Sequence, residues 1–339
     1  MTSKTHTVAY VDPLTVEQLA FLQGLANDYG LKLVAPLGED IEELKTILKD
    51  AEGVIVQRRP MTSDLMDAAP ALRVIQKMGG RRDRIDIKAA KSKNIKTALM
   101  SLPGAMAVSE HVMALMLACA KKIVEGHTYT KTGAYRTLGI EPKVTTERSH
   151  GFQWMKIQGL EELNGMTLGI IGFGDIGNEI AKRAKAFEMK VVYFDAYRLD
   201  ADLEAELGVT YLDKDELLKT SDFITLNAPL IPSTEKSIGE RELSLMKSTA
   251  YIINASRGGV IDEPALAKAI AEKKIAGAGL DVFLEEPVPY DHPYLSLDNV
   301  TFTPHIGGGK GGARERQPRA IFANLQRFFN GEPMEKEIV

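Results

Sequence analysis

Residues 168–195 read LGIIGFGDIGNEIAKRAKAFEMKVVYFD. An apolar strand over 167–171 runs into Gly172-Phe173-Gly174-Asp175-Ile176-Gly177, then an amphipathic helix, then a second strand ending on Asp195. Each glycine has its own use in a dinucleotide site. Gly172 allows the tight strand-to-helix turn, Gly174 admits a pyrophosphate to the backbone, and Gly177 lets the helix lie close on the sheet. The helix N-terminus offers unpaired N–H groups and a partial positive charge to that pyrophosphate. Asp195 closes the second strand eighteen residues after Gly177, where a carboxylate accepts hydrogen bonds from the adenosine ribose hydroxyls. Glycine-rich turns alone are common; the strand before, the helix after and the acid at this distance make the reading specific. The carboxylate favours the free 2′-hydroxyl of NAD and repels the 2′-phosphate of NADP, although Arg198, three residues on, offers that phosphate a cation.

The rest of the 339-residue chain is long enough for two domains with sizeable cores. A hydrophobic fraction of 44% and a charged fraction of 26% are ordinary for a globular protein. A formal charge of −4 gives no reason to expect nucleic acid or an anionic membrane as partner. Cys119, the single cysteine, excludes an internal disulfide and a cysteine metal cluster, and reads as buried and inert. MTSKTHTVAYVD at the N-terminus lacks a secretion pattern, and the longest apolar run, 112–120, is short for a bilayer span. The expected location is the cytoplasm.

Strands are expected at 8–11, 32–35, 53–56, 72–76 and 95–97, alternating with helices at 15–29, 41–49, 63–68 and 85–90. A long helix over 108–123 is apolar around most of its circumference and so is buried, within a domain or against a second subunit. Residues 126–163, polar with scattered aromatics and Trp154, give no clear pattern. After the glycine-rich stretch come strands at 223–227, 250–254, 278–282 and 300–303, helices at 240–246 and 262–273, and a closing helix at 320–329. Two alternating sets predict two parallel sheets, each covered by helices on both faces, with a cleft between the lobes. Ligands of such sheets bind beyond the carboxyl ends of the strands.

Those strand ends carry reactive groups: Arg257 after Asn254, Glu285 and Glu286 after Asp281, and His305 after Thr303. An arginine, an acid and a histidine beside a nicotinamide are what hydride transfer to a 2-oxo acid needs. The guanidinium grips a carboxylate and polarises the neighbouring carbonyl. The histidine delivers the alcohol proton, and a paired carboxylate fixes its tautomer. Of the other histidines, His6, His127, His150 and His292 read as solvated, and His111 as structural.

The segments N-x-S-R-G-G-x-x-D-E (254–263), L-D-V-F-x-x-E-P (280–287) and T-P-H-I-G-G (303–308), with the L-G-I-I-G-x-G-x-I-G fingerprint, resemble the signatures of D-isomer-specific 2-hydroxyacid dehydrogenases, a family that includes glyoxylate and hydroxypyruvate reductases and phosphoglycerate dehydrogenases. The resemblance runs from Val8 to the closing helix. It implies an α/β chain with a Rossmann nucleotide domain (104–305) and a discontinuous flavodoxin-like substrate domain (1–103 with 306–339). It implies that Arg257 binds the substrate carboxylate, that His305 is the acid/base and Glu286 its partner, and that Asp281 meets the nicotinamide carboxamide. The implied NAD site comprises Gly172, Gly174, Asp175, Ile176, Gly177, Asp195, Ala228, Pro229, Ala255, Asp281 and Gly307, with no metal. A homodimer through the nucleotide domain is implied as well.

The departures bear on substrate. The family's first-domain loop commonly reads G-x-G-x-D-N-I-D; here it is Gly79-Gly80-Arg81-Arg82-Asp83-Arg84-Ile85-Asp86. Arg58 and Arg59 follow the third strand, Lys77 precedes the loop, and Lys310 stands where a helix-starting threonine is usual. The expected substrate-binding set is therefore Arg58, Gly79, Gly80, Arg81, Arg82 and Arg257, for a substrate with a second anionic group. The competing reading leaves these arginines facing solvent or paired with Asp83 and Asp86. Two other functions fit the fold: a nucleotide-sensing corepressor or scaffold, and a formate or phosphite dehydrogenase. The intact Arg257, Glu286 and His305 set opposes the first, and Pro304, where formate enzymes generally carry glutamine, opposes formate.

Overall fold

The computed structural model describes residues 5–146, 152–309 and 313–339. Lys310, Gly311, Gly312 and His150 lie outside the described residues. The chain divides into two compact units, one of Met1–Met106 with Gly309–Val339 and one of Ala107–Gly308.

In the first unit, β1 (His6–Tyr10), α1 (Val16–Asn27), β2 (Leu31–Val34), α2 (Ile41–Leu48), β3 (Gly53–Val56), α3 (Ser63–Asp67), β4 (Val74–Met78), α4 (Ile87–Ser92) and β5 (Lys96–Met100) follow in turn. The helices begin where side chains satisfy orphan N–H groups: Thr15 forms a capping box with Gln18, and Asp40, Thr62 and Asp86 cap the next three. The sheet order is β2-β1-β3-β4-β5, all parallel, as in flavodoxin-like folds. Its central strands are buried on both faces because helices cover both, with Gln76 and Lys77 of β4 the polar residues among them.

Then come α5 (Pro103–Ala120), α6 (Ile123–Thr132), β6 (Thr167–Ile171), α7 (Asp175–Ala186), β7 (Lys190–Phe194), α8 (Ala201–Leu207), β8 (Thr210–Tyr211), α9 (Lys214–Thr220), β9 (Phe223–Leu226), α10 (Glu240–Leu245), β10 (Tyr251–Asn254), α11 (Glu263–Ala271), β11 (Gly277–Leu280) and β12 (Val300–Phe302). This sheet runs β12-β11-β10-β9-β6-β7-β8, again parallel throughout, so the strand order reverses between β6 and β9. That reversal is where a doubly wound sheet opens a crevice for its ligand. The last helix, α12 (Ala313–Phe329), packs Ile321, Phe322 and Leu325 into the first unit's core. There the buried Asn324 amide donates to Gln76 on β4 at 2.7 Å.

Four expectations need correction. The helix expected at 108–123 starts five residues earlier, at Pro103, and breaks at Lys122, whose φ of +50° is left-handed. Residues 123–132, which from 126 onward show no clear sequence pattern, are helical, and a 3-10 turn follows at Ala134–Leu138. The elements α8, β8 and α9 lie in a stretch where none was expected. The closing helix starts at Ala313 and contains Pro318. By length and hydropathy α5 also meets the measure for crossing a membrane, which the shorter run 112–120 does not. Its Val112, Leu115, Met116 and Cys119 are buried in the core of the second unit, which accounts for that apolar character.

Candidate active site

The nucleotide end is built at the tip of β6. Gly172 turns with φ +90°, and a Cβ there would lie 2.7 Å from the Ala228 nitrogen, so the turn requires glycine. The same closeness brings Ala228 and Pro229, after β9, beside the turn. A Cβ on Gly177 would meet the Gly172 carbonyl at 2.7 Å, whereas one on Gly174 would meet nothing within 4 Å. Helix α7 starts at Asp175, with Ile176 in its first turn, and no side chain caps it. Open space before an uncapped helix N-terminus suits a pyrophosphate. Asp195 accepts from the Phe173 N–H at 2.7 Å and the Tyr197 N–H at 3.0 Å, which fixes the carboxylate and leaves lone pairs for ribose hydroxyls. These residues fit a dinucleotide.

Beyond β10, the Asn254 amide donates to the Arg257 carbonyl (3.0 Å) and its oxygen receives the Ser256 N–H and hydroxyl (3.0 and 2.8 Å). Ala255 lies inside that turn. Arg257 is exposed; its guanidinium donates to the Ser256 carbonyl at 2.6 Å and makes no ion pair among the described residues. The next residue is pressed against a second loop. A Cβ on Gly258 would lie 2.0 Å from the Phe283 carbonyl carbon and 2.3 Å from the Leu284 nitrogen. The Arg257 and Glu286 loops are thus in backbone contact.

Glu286 accepts the Phe283 N–H at 3.0 Å through one oxygen and the His305 Nδ1–H at 2.6 Å through the other. That bond holds the Glu286 carboxyl below the usual carboxylate range. With Nδ1 engaged, Nε2 is the His305 nitrogen left to face a reactant. His305 itself has φ +54°. Asp281 holds it there: the Asp281 carbonyl accepts the His305 N–H at 2.9 Å, and its carboxylate accepts Ile306 and Gly307 N–H groups at 2.9 and 2.8 Å. The Thr303 hydroxyl and His111 Nε2 complete its shell at 2.6 and 3.1 Å, and the residue is 1% exposed. The carboxylate expected at the nicotinamide thus also fixes the loop that carries His305, with only the Gly307 N–H on its Oδ2 among the described residues.

Two residues of this network escaped the sequence. His111, expected to be only structural, lies 2.8 Å from the Thr303 hydroxyl, and no signal in the sequence links the two. Glu263 accepts the Leu284 N–H at 2.9 Å and pairs with His292 at 3.1 Å. His292 is therefore not solvated as expected, nor is His6, which stacks on Phe329 at 4.0 Å and meets Glu52 at 3.1 Å. His127 is exposed, as expected.

Of the expected substrate-binding residues, Arg257 belongs to the second unit and the other five to the first. The buried Asp12 accepts the N–H groups of Gln57, Arg58 and Arg59 at 3.0–3.1 Å, fixing the turn after β3. Arg58 is 78% exposed, its Nε 3.7 Å from Asp12. Arg59 pairs with Glu39, and Arg81 with Asp83 at 3.0 Å, so part of the basic cluster is neutralised locally. Lys77 is buried and donates to the backbone carbonyls of Gln57 and Met78 instead of lining a surface. Gly79 has φ +111° and donates to the Met100 carbonyl at 2.7 Å; Gly80 and the half-buried Arg82 follow it.

Residues 113–307 match the model of the D-isomer specific 2-hydroxyacid dehydrogenase NAD-binding domain. A glyoxylate reductase of Korarchaeum cryptofilum is 36% identical over 303 residues, covering 89% of this chain and 83% of that one. This chain belongs to the D-isomer specific 2-hydroxyacid dehydrogenase family. A hydroxypyruvate reductase of Thermotoga maritima is 40% identical over 281 residues, 81% of this chain and 84% of that protein. Among solved structures, a glyoxylate reductase from Paecilomyes thermophila superposes with a TM-score of 0.55 at 27% identity, covering 99% of each chain. The second unit is the NAD-binding domain, and the protein is an NAD-dependent oxidoreductase acting on CH–OH groups of 2-hydroxy acids.

Proposed function

We propose that this dehydrogenase acts mainly as a reductase of a small 2-oxo acid, with His305 as acid/base, Glu286 as its partner and Arg257 as the carboxylate anchor. The 2.6 Å bond from His305 Nδ1 to Glu286 carries the reading. NADH would be held by the Gly172–Gly177 turn and Asp195 and, when bound, would supply a hydride for the carbonyl carbon. His305 Nε2 gives its proton to the carbonyl oxygen, and the ionised Glu286 stabilises the imidazolium before that transfer and fixes the tautomer. Arg257, always charged, holds the acid group and draws electron density from the adjacent carbonyl. Asp281 contributes by fixing the backbone of 305–307.

The names of the relatives favour glyoxylate or hydroxypyruvate as substrate. The exposed Arg58 supports a substrate with a second anionic group, while the pairing of Arg81 with Asp83 weighs against it. The first unit, by this reading, is the substrate domain. The relatives' metabolic names support a cytoplasmic location, and exposed apolar side chains on the second unit support a homodimer. NADH oxidation against 2-oxo acids with and without a second anionic group, beside a His305→Ala control, tests the proposal. Turnover of monoacids such as glyoxylate, reduced about a hundredfold or more in the control, is the expected result. Full activity in His305→Ala would end the assignment.

A further inference from the structure

Arg198 stands three residues after the ribose-binding Asp195, where a cation would serve an adenosine 2′-phosphate. It is held elsewhere. Its Nε and one terminal nitrogen donate to the two oxygens of Glu204, at 2.9 and 3.1 Å, and the guanidinium lies 5.1 Å over the Tyr211 ring. Such a two-point grip matches the planar fork of the guanidinium to a carboxylate. Glu204 is fixed in turn: its side chain is 11% exposed and accepts the hydroxyl of the buried Tyr193 at 2.8 Å. That hydroxyl accepts the Leu199 N–H at 2.9 Å, and the Tyr193 ring lies 4.5 Å from Phe173 of the fingerprint. The bond to Arg198 keeps Glu204 below the usual carboxylate range, and burial pushes the Tyr193 hydroxyl up to about 12, so this network keeps its charges through neutral pH.

We infer that Glu204 is a specificity-determining residue, which withholds Arg198 from the adenosine 2′-phosphate and so reinforces the choice of NAD made by Asp195. The inference rests on the NAD-binding role of this unit. Asp195 acts by repulsion, and Glu204 by occupying Arg198, a cation that would compensate. Removing the repulsion alone therefore leaves Arg198 engaged; removing both frees it.

The test is fluorescence titration of the protein with NADPH and with NADH. Asp195→Ser with Glu204→Gln is expected to bind NADPH about tenfold or more tightly than Asp195→Ser alone, the size of one charge-assisted hydrogen bond. NADH affinity should differ less than about twofold between the two, and adding Arg198→Ala to the double variant should abolish the gain. Equal NADPH affinity with and without Glu204→Gln, in proteins that still bind NADH, overturns the inference. Should the double variant not fold, Arg198→Ala in the Asp195→Ser background decides: unchanged NADPH affinity supports sequestration, and a tenfold loss refutes it. Wild-type protein that binds neither dinucleotide would instead count against the nucleotide site itself.

Discussion

His305 holds a left-handed backbone, φ +54°, which costs a residue with a Cβ about 1–2 kcal/mol. The N–H groups of residues 305–307 all bond to Asp281, and this offsets the strain and aims the ring at Glu286. Because Glu286 sits below the usual carboxylate range, its sign is that of a depressed acid. The pairing is complete above the ordinary glutamate value of about 4.3 and fades only as pH falls through the lower folded value. Loss of activity between pH 8 and 5 is thus not protonation of Glu286. Glu286→Gln should lower kcat/KM about a hundredfold at neutral pH while NADH binding persists. Steady-state kinetics with an unchanged kcat/KM would remove Glu286 from the mechanism. The motif spacing exposed this pair in the sequence, but not the residues behind it. His111 and His292 act through contacts of long separation and alone read as ordinary helix or loop residues, and Glu263, although it closes the 254–263 signature, shows its partners Leu284 and His292 only in the fold.

Gly258 shows what one element asks of its neighbour. The turn after β10 and the loop after β11 touch through backbone, with no room for a methyl group 2.0 Å from the Phe283 carbonyl carbon. Gly258→Ala must push the Arg257 loop from the Glu286 loop. Overpacking of this kind costs about 1–3 kcal/mol, and kcat/KM should fall with it. Gly259→Ala makes the contrast, since the atoms nearest its Cβ are the ends of the Leu230 and Leu284 side chains, which can shift. Thermal unfolding and kinetics on the two variants check this; equal behaviour would mean the loops are not coupled. Glycine needs of this sort are invisible as distances in a sequence, whereas strands between helices are not. Strands β3 and β6 were legible to the residue because apolar runs ended at turn residues. Strand β8 has two residues, too few for an alternating pattern, and α8 and α9 bury only short apolar stripes in charged surroundings. Pro318 hid the first turns of α12, since an interior proline ordinarily ends a helix.

For the whole molecule, the parallel architecture was readable because alternation of element types dictates it. Association was less so, because it depends on which apolar side chains remain outside after packing. In the second unit, Ile123, Val124, Leu138, Trp154 and Leu160 stay exposed, with Val144 at 90% and Phe152 at 85%. Exposed apolar side chains that form one contiguous patch mark an interaction surface, whereas singly scattered ones are ordinary. Trp154 packs edge-on to Tyr135 at 5.5 Å, so part of the stretch is ordered around an aromatic pair. If a second copy covers it, light scattering should give twice the 37.2 kDa of one chain. Val144→Glu with Phe152→Glu would then charge an interface that excludes water, and the scattered mass should halve. The melting temperature of the wild type should also rise with protein concentration, as mass action requires, while that of the charged variant should not. A wild type of single-chain mass across that concentration range would assign the exposed side chains to another partner or to none.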